Sequence, residues 1–409
     1  MTALDSLAAA AKHLDATDPL ARFRDRFLAA PDVVSYLDGN SLGRPPRGTD
    51  AAVAEFIRQD WGERLIRGWT DSWLDWPRTL GDRIGQLALG AAAGQVVVAD
   101  STTVLLYKLA RAALAARPGR REIVLDTDNF PTDRYVLEGI AAELGLRLRW
   151  VRTDPAAGIT AEQVAGAVGP DTALLVFSHA AYRSGYVADA QAITRLAHEA
   201  GALILWDLCH SAGVLPVLLD DWGVDLAVGC TYKYLNGGPG SPAFAYVNSR
   251  HHGALRQPIQ GWLGRAEPFE MGPGYVPAAG IQRFVSGTPP ILGMVPLRGA
   301  LDLLAEAGLP AVRAKSLRLT GFVLDFADAQ LSDHGVTVAS PREPDRRGGH
   351  ITLCRNDFRE IADRLWARGV IPDFRAPDGI RVGLAPLSTS FTEVLAGLTA
   401  LRDLVGESV

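Results

Sequence analysis

Between about residues 85 and 250 the chain alternates short β-rich apolar runs with longer runs of helical periodicity, and few folds accommodate that alternation. "QVVVA" (95–99), "REIVL" (121–125), "LRLRWV" (146–151), "TALLVFS" (172–178), "ALILWD" (202–207) and "VDLAVG" (224–229) read as strands. Helical patterns lie between them, in "TTVLLYKLARAALAA", "RYVLEGIAAELG", "AEQVAGAVG" and "DAQAITRLAHEAG". Most of these strands are apolar along their whole length, so both sheet faces are buried. That is the pattern of a mostly parallel sheet sandwiched between helices. Ligands of such sheets bind at the carboxyl ends of the strands.

After about residue 290 the texture changes. Helical patterns cover "PLRGALDLLAEAG" and "VRAKSLRLTGFVLDFADAQLSDHG". They are followed by "VTVAS", "HITLC", a helix in "DFREIADRLWARG", the run "GIRVGLA" and a last helix. Asp357 and Glu360 have the spacing of a capping box for the middle helix, and "SPREPDRRGGH" (340–350) reads as an exposed loop between strands. The expected organisation is an N-terminal arm (1–50) that joins a small domain, a large α/β domain (51–290) and a smaller α+β domain (291–409).

A chain of 409 residues is long enough for two such domains. Its net charge of −5 gives no electrostatic basis for binding nucleic acid. Cys209, Cys230 and Cys354 form no C-x-x-C pair, which points to a reducing compartment without zinc or disulfides. His251 and His252 are adjacent, so they point apart on a regular element and make no metal site. The N-terminus carries Asp5, Asp15 and Asp18 around a short alanine tract and does not read as a signal peptide. No apolar run approaches the roughly 20 residues of a membrane span. The expectation is a soluble cytoplasmic protein.

Asp207 ends one buried strand, and Lys233, in "CTYKYLNGGPG", follows the next. In a parallel sheet both side chains emerge at the same edge. They are either a structural ion pair or the two groups pyridoxal phosphate requires: an amine for a Schiff base and an anion for the ring nitrogen. Three neighbouring features bear on that choice. "DSTTV" (100–104) opens a helix, where Thr102 and Thr103 with the free N–H groups suit a phosphate or simply cap the helix. "NFPTD" (129–133) offers Phe130 to stack on a ring and Asp133 to bond a ring substituent, or is an ordinary proline turn. His210, in "DLCHSAG", is close enough to support Asp207 or the ring, or is structural. The glycines of "NGGPG" allow a sharp turn behind Lys233.

"YLDGNSLG" (36–43), "DSTTV", "FPTD", "WDLCHSAG" (206–213), "GVDLAVGCTYKYLNGGPGS" (223–241), "RFVSGTPPI" (283–291) and "GIRVGLAPL" (379–387) together resemble the kynureninase family over roughly residues 20–400. The resemblance implies the aspartate-aminotransferase-like fold type I and hydrolytic Cβ–Cγ cleavage of L-kynurenine. In this chain it implies Lys233 as the Schiff-base lysine, Asp207 on the pyridinium nitrogen with His210 nearby, Phe130 on the ring with Asp133 beside it, and Thr102 and Thr103 on the phosphate. Tyr232 and Ser178 lie close to the cofactor, Tyr232 as a proton relay. Trp262 and Thr288 complete the pocket from a partner subunit, which implies a homodimer with its site at the interface. Arg381 clamps the substrate carboxylate, with Ser41 also at the substrate. Trp69, Gly287 and Thr288 resemble the bacterial type, which prefers kynurenine to its 3-hydroxy form. Trp69 and Trp73 share a face if their segment is helical. Relatives often carry Asn soon after the paired threonines; here Leu105 stands in that region, expected as a packing change. A cysteine desulfurase-like lyase is the rival, and it would need Cys354 as a mobile nucleophile.

Overall fold

Two sheets of unequal size organise the chain, described over residues 2–407 by a computed structural model. The strands are β1 (Ser35–Leu37), β2 (Val96–Ala99), β3 (Glu122–Asp126), β4 (Arg147–Val151), β5 (Thr172–Ser178), β6 (Leu203–Asp207), β7 (Leu226–Gly229), β8 (Ala243–Val247), β9 (Thr337–Val338), β10 (His350–Cys354), β11 (Val370–Arg375) and β12 (Gly379–Gly383).

The larger sheet has the order β2-β8-β7-β6-β5-β3-β4. Only β8 runs against its neighbours, β2 and β7. Successive side chains of a strand point to opposite faces, and each face here feeds its own core. Val97, Leu125, Val176, Leu205 and Val228 pack with helix Thr102–Ala115. Val98, Val124, Phe177, Trp206 and Ala227 pack on the other side with helices Ala190–Glu199 and Ile291–Ala307. Both faces are dry, which is why the strands lack polar alternation. β8, "AFAYV", lies behind the glycine-rich turn and is an additional strand of this sheet.

The smaller sheet has the order β1-β11-β12-β10-β9. β1 pairs parallel with β11, Ser35 opposite Val370, so the N-terminal arm adds a strand to the C-terminal sheet. Its core lies under helices Ala3–Ala16, Leu309–Gln330, Phe358–Ala367 and Phe391–Glu407. The packing boundary falls inside the long helix Leu309–Gln330: Ile291 to Val312 belong to the larger core, and the smaller core begins at Leu319.

Two local expectations fail. Asp357 sits at the N-cap position but accepts no capping hydrogen bond, because Arg355 holds its carboxylate (Nε to Oδ1, 2.8 Å). The 340–350 segment is exposed only in part. Arg347 is buried and its Nε donates to Thr320 Oγ1 at 3.0 Å, which draws the end of the loop onto the long helix.

Candidate active site

Lys233 lies just past β7 in a turn closed by Asn236 N to Lys233 O (3.0 Å) and Gly237 N to Thr231 O (2.9 Å). Asn236 has φ +53° and Gly238 φ +80°, the left-handed backbone this turn requires. The "YLDGNSLG" segment packs onto it, with Gly43 N donating to Tyr232 O at 2.9 Å. A Cβ on Gly43 would strike the Asn236 amide and the Lys233 carbonyl, so only glycine permits this approach. The same segment meets β12 through Gly39 N to Gly383 O (3.1 Å) and Arg381 Nη2 to Ser41 Oγ (2.7 Å). The motif thus ties the lysine turn to the smaller sheet.

The Lys233 side chain lines a cavity of about 630 Å³ at the carboxyl ends of the central strands. Its Nζ stands 3.3 Å from His210 Nε2 and 5.9 Å from the ring centres of Phe130 and Tyr232. Among the described residues it forms no ion pair with a carboxylate, so the simple Lys–Asp ion pair is absent. Asp207 ends β6 and is buried; its Oδ1 accepts from Cys209 N at 2.7 Å. Asp133, in the first turn of helix Pro131–Leu144, is buried with Oδ2 unpartnered. Burial, and after it the nearby Asp207 charge, holds the Asp133 carboxyl well above the usual range. Thr102 and Thr103 open their helix at the cavity wall, and the preceding Ser101 caps it by accepting from Val104 N (3.4 Å). Leu105 is fully buried beneath them in the core.

These groups fit pyridoxal phosphate. An amine, an aromatic face, two buried carboxyl groups, one with an oxygen lacking a partner, and a helix N-terminus converge on one cavity. The Tyr232 phenol lines it too and is raised by burial and then by Cys230, so it carries its proton.

Other residues fall elsewhere. His210 does not support Asp207. Its Nε2 sits between Lys233 Nζ and Arg381 Nη1 (3.4 Å) and accepts from cationic donors, while burial and then Lys233 keep the ring neutral. Ser178 does not line the cavity. It donates to Asn129 Oδ1 (2.8 Å), which also accepts from Phe130 N (2.9 Å), so Ser178 and Asn129 fix the turn that presents Phe130. Asn129 was not singled out in the sequence; an Asn directly before Phe-Pro at a strand-to-helix turn is the signal that marks it. Arg381 is fully buried in β12, behind His210. Thr288 lines the cavity of its own chain, where the resemblance placed it across a subunit boundary. Trp262 stands apart, 38% exposed, against Phe269 at 5.8 Å. Trp69 meets Trp73 edge-on at 5.3 Å in a segment of short irregular turns, and with Trp61 they line a separate apolar cleft of about 370 Å³ that shares Thr288 with the cavity. Gly287 is exposed, with no atom near where its Cβ would be.

Cys354 lies in β10, outside the cavity, and burial pushes its thiol up to about 11. His251 Nε2 donates to the Asp225 carboxylate (2.7 Å), and no group of metal-ligating residues occurs among the described residues. No helix of the described residues is long and apolar enough to cross a membrane.

A lysine at the carboxyl edge of a seven-stranded, mostly parallel sheet, beside a smaller domain carrying a buried arginine, defines a fold type I pyridoxal-phosphate enzyme. Solved structures agree on the fold. The apo cysteine desulfurase from Thermococcus onnurineus NA1 superposes with a TM-score of 0.78 at 18% identity over 95% of this chain and 98% of that one. A variant of C-DES with glycine covalently linked to its PLP cofactor gives 0.79 at 19% identity over 90% and 96%. The family model described as the kynureninase C-terminal domain matches residues 312–401. The kynureninase of Pseudomonas fluorescens is 42% identical over 96% of this chain and 94% of its own length, and that of Burkholderia pseudomallei (strain 1106a) is 43% identical over the same shares. The chain belongs to the kynureninase family.

Proposed function

We propose that this enzyme hydrolyses L-kynurenine to anthranilate and L-alanine with pyridoxal phosphate, using the side chains gathered around Lys233. The observation that carries the site assignment is the Lys233 amine. It is buried without a carboxylate partner, facing a cavity that also holds Asp207, Asp133, Phe130 and a helix N-terminus.

Bound there, pyridoxal phosphate supplies an aldehyde carbon for amines and an electron-withdrawing ring. Asp207, buried at the cavity, would hold the ring nitrogen, and Phe130 would cover the ring. Thr102, Thr103 and the free N–H groups behind Ser101 take the phosphate. Arg381 receives the α-carboxylate of the substrate, and Ser41 Oγ fixes the plane of its guanidinium. With the cofactor bound, Lys233 would stand as the base that removes the substrate Cα proton at short range. Tyr232, which holds its phenolic proton, delivers it to the carbon left when Cβ–Cγ breaks. Water supplies the hydroxyl of the anthranilate carboxyl, and the alanine methyl gains the proton, so one water is consumed per cleavage.

The mostly apolar cleft at Trp61, Trp69 and Trp73 supports a preference for the unhydroxylated ring, since burying an added hydroxyl there costs its hydration. The active unit is a homodimer in the cytoplasm: the cleft residues Trp61 (54% exposed), Leu65 and Ile66 form an apolar face that a second copy would cover. The test is anthranilate fluorescence on adding L-kynurenine to the cofactor-loaded enzyme, with 3-hydroxykynurenine followed by absorbance. Fast anthranilate release with slow hydroxykynurenine cleavage is expected. Preference for the hydroxylated substrate removes the role given to the Trp69 cleft. Silence with both removes the assignment.

A further inference from the structure

Arg381 is crowded by partners on every side of its guanidinium. A guanidinium offers five N–H groups. Here Nη2 donates to Ser41 Oγ (2.7 Å) and forms ion pairs with Asp373 Oδ2 (2.6 Å) and, more distantly, Asp38 Oδ1 (3.9 Å), while Nη1 reaches Tyr182 O (2.6 Å) and His210 Nε2 (3.4 Å). Nε lies 3.1 Å from the Asn40 amide oxygen once that amide is oriented to satisfy both of its ends. The side chain is 1% exposed. Resting on the reading that Arg381 takes the α-carboxylate, an incoming substrate must displace one of these partners. Tyr182 O is held by its backbone. Ser41 is neutral, and a carboxylate can lie beside it. Asp373 is the closest full negative charge, and it occupies Arg381 as a substrate carboxylate would.

Asp373 also has a second place to go. The same Oδ2 accepts from Arg375 Nε at 2.7 Å. Asp373 and Arg375 are two apart on β11, so they share a face, and Asp373 is the register partner of Arg381 across β11 and β12. A side-chain rotation over a fixed backbone moves the carboxylate from one guanidinium to the other. Arg375 is partly solvated and stands 5.9 Å from the Tyr182 ring, which packs edge-on against Phe130 at 5.4 Å. The receiving arginine therefore adjoins the aromatic wall of the cavity.

We propose that Asp373 is a resident carboxylate that bridges Arg381 and Arg375 in the free enzyme and is left to Arg375 alone when the substrate carboxylate arrives, so that Asp373 and Arg375 together set the affinity for amino acids. The two residues act on affinity in opposite directions. Asp373→Asn removes the competitor, and KM for L-kynurenine and the dissociation constant of the product L-alanine should both fall, by about tenfold if one close ion pair is relieved. Arg375→Gln leaves a displaced Asp373 without a partner, and both constants should rise. Alanine binding, followed through the visible spectrum of the bound cofactor, reads affinity without turnover. Ethylamine, which lacks the carboxylate, should bind all three proteins equally, and thermal melting should stay within a few degrees of the parent. If Asp373→Asn raises both constants, as Arg375→Gln does, Asp373 only holds Arg381 in position and the inference is wrong. Arg381→Gln separates the two levels. If it leaves alanine affinity unchanged, the carboxylate role of Arg381 fails. If it weakens alanine while Asp373→Asn does not tighten it, only the exchange fails.

Discussion

Three lysines of this protein are buried, and they divide by their partners. Lys108 is fully buried on helix Thr102–Ala115 and pairs with Asp100 at 2.9 Å, with Phe284 O as a further acceptor. Lys315 is buried on the long helix and pairs with Asp18 at 2.8 Å, linking that helix to the N-terminal arm. Lys233 has only an imidazole nitrogen at 3.3 Å, and its amine faces a cavity. An ammonium taken out of water needs a counter-charge. Lys108 and Lys315 have one and are structural. Lys233 lacks one although two carboxyl groups, Asp207 and Asp133, share its cavity, the arrangement expected if those groups are reserved for a cofactor. A lysine that condenses with an aldehyde needs no counter-ion in that state.

The comparison breaks most sharply at Lys233. Lys233→Ala should cut turnover by about 10³-fold or more, as expected for loss of a positioned base, and abolish the visible absorbance of the lysine-bound cofactor. Its melting temperature should stay near the parent, since no ion pair is lost. A variant that kept substantial turnover would return Lys233 to the structural class. Lys315→Met should do the reverse. It strands Asp18, whose side chain is wholly buried, at a cost of about 3–5 kcal/mol in stability, with kcat unchanged in the protein that remains folded. A full loss of activity with unchanged melting would overturn that assignment.

How much of this could be read in advance follows the same physics. The central strands were legible because burial on both faces leaves a continuous apolar run, as in "TALLVFS" and "ALILWD". Asp207 and Lys233 were legible because a charged residue ending such a run must sit at the sheet edge. β8 was not, since "AFAYV" follows a glycine- and proline-rich turn that reads as loop, and β1 has only three residues. The partners of His210 and Arg381 were not legible either. The two residues meet across 171 positions, where the smaller sheet closes on the larger, and nothing local signals that contact. Ser178 lies at the end of β5 near the cavity, and its hydroxyl goes to Asn129, which holds the Phe130 turn.

Carboxylates repeat the division. Asp133, in the cavity, has its carboxyl pushed up by burial and then by Asp207. Asp225, at the far end of the same sheet, meets His198 (2.9 Å), His251 (2.7 Å) and Arg250. Burial would raise its carboxyl, but hydrogen bonds from His198, His251 and Arg250 outweigh burial and hold it below the usual range. A depressed acid contributes stability that is present above the unfolded value of about 3.9 and is lost as pH falls through the folded value. Asp225→Asn should therefore destabilise the protein at pH 7, by somewhat less than Lys315→Met because His198 and Arg250 are partly solvated. The gap between variant and parent should close below about pH 4. A gap independent of pH in urea titrations would mean that packing, not charge, makes the contribution.

The smallest effect is expected at Cys354, and it separates this family from the desulfurases that share its fold. A persulfide-forming thiol must be mobile and ionised near neutral pH. Cys354 is anchored in β10 opposite Gly379 and Thr337, its thiol is pushed up to about 11, and it does not line the cavity. Cys354→Ser should leave anthranilate release within a factor of two of the parent. The parent, offered L-cysteine, should give no persulfide on Cys354 by mass spectrometry. A persulfide there, or a large loss of activity in the serine variant, would show that β10 can release the thiol toward Lys233, and the division between anchored and working residues would have to be redrawn around that strand.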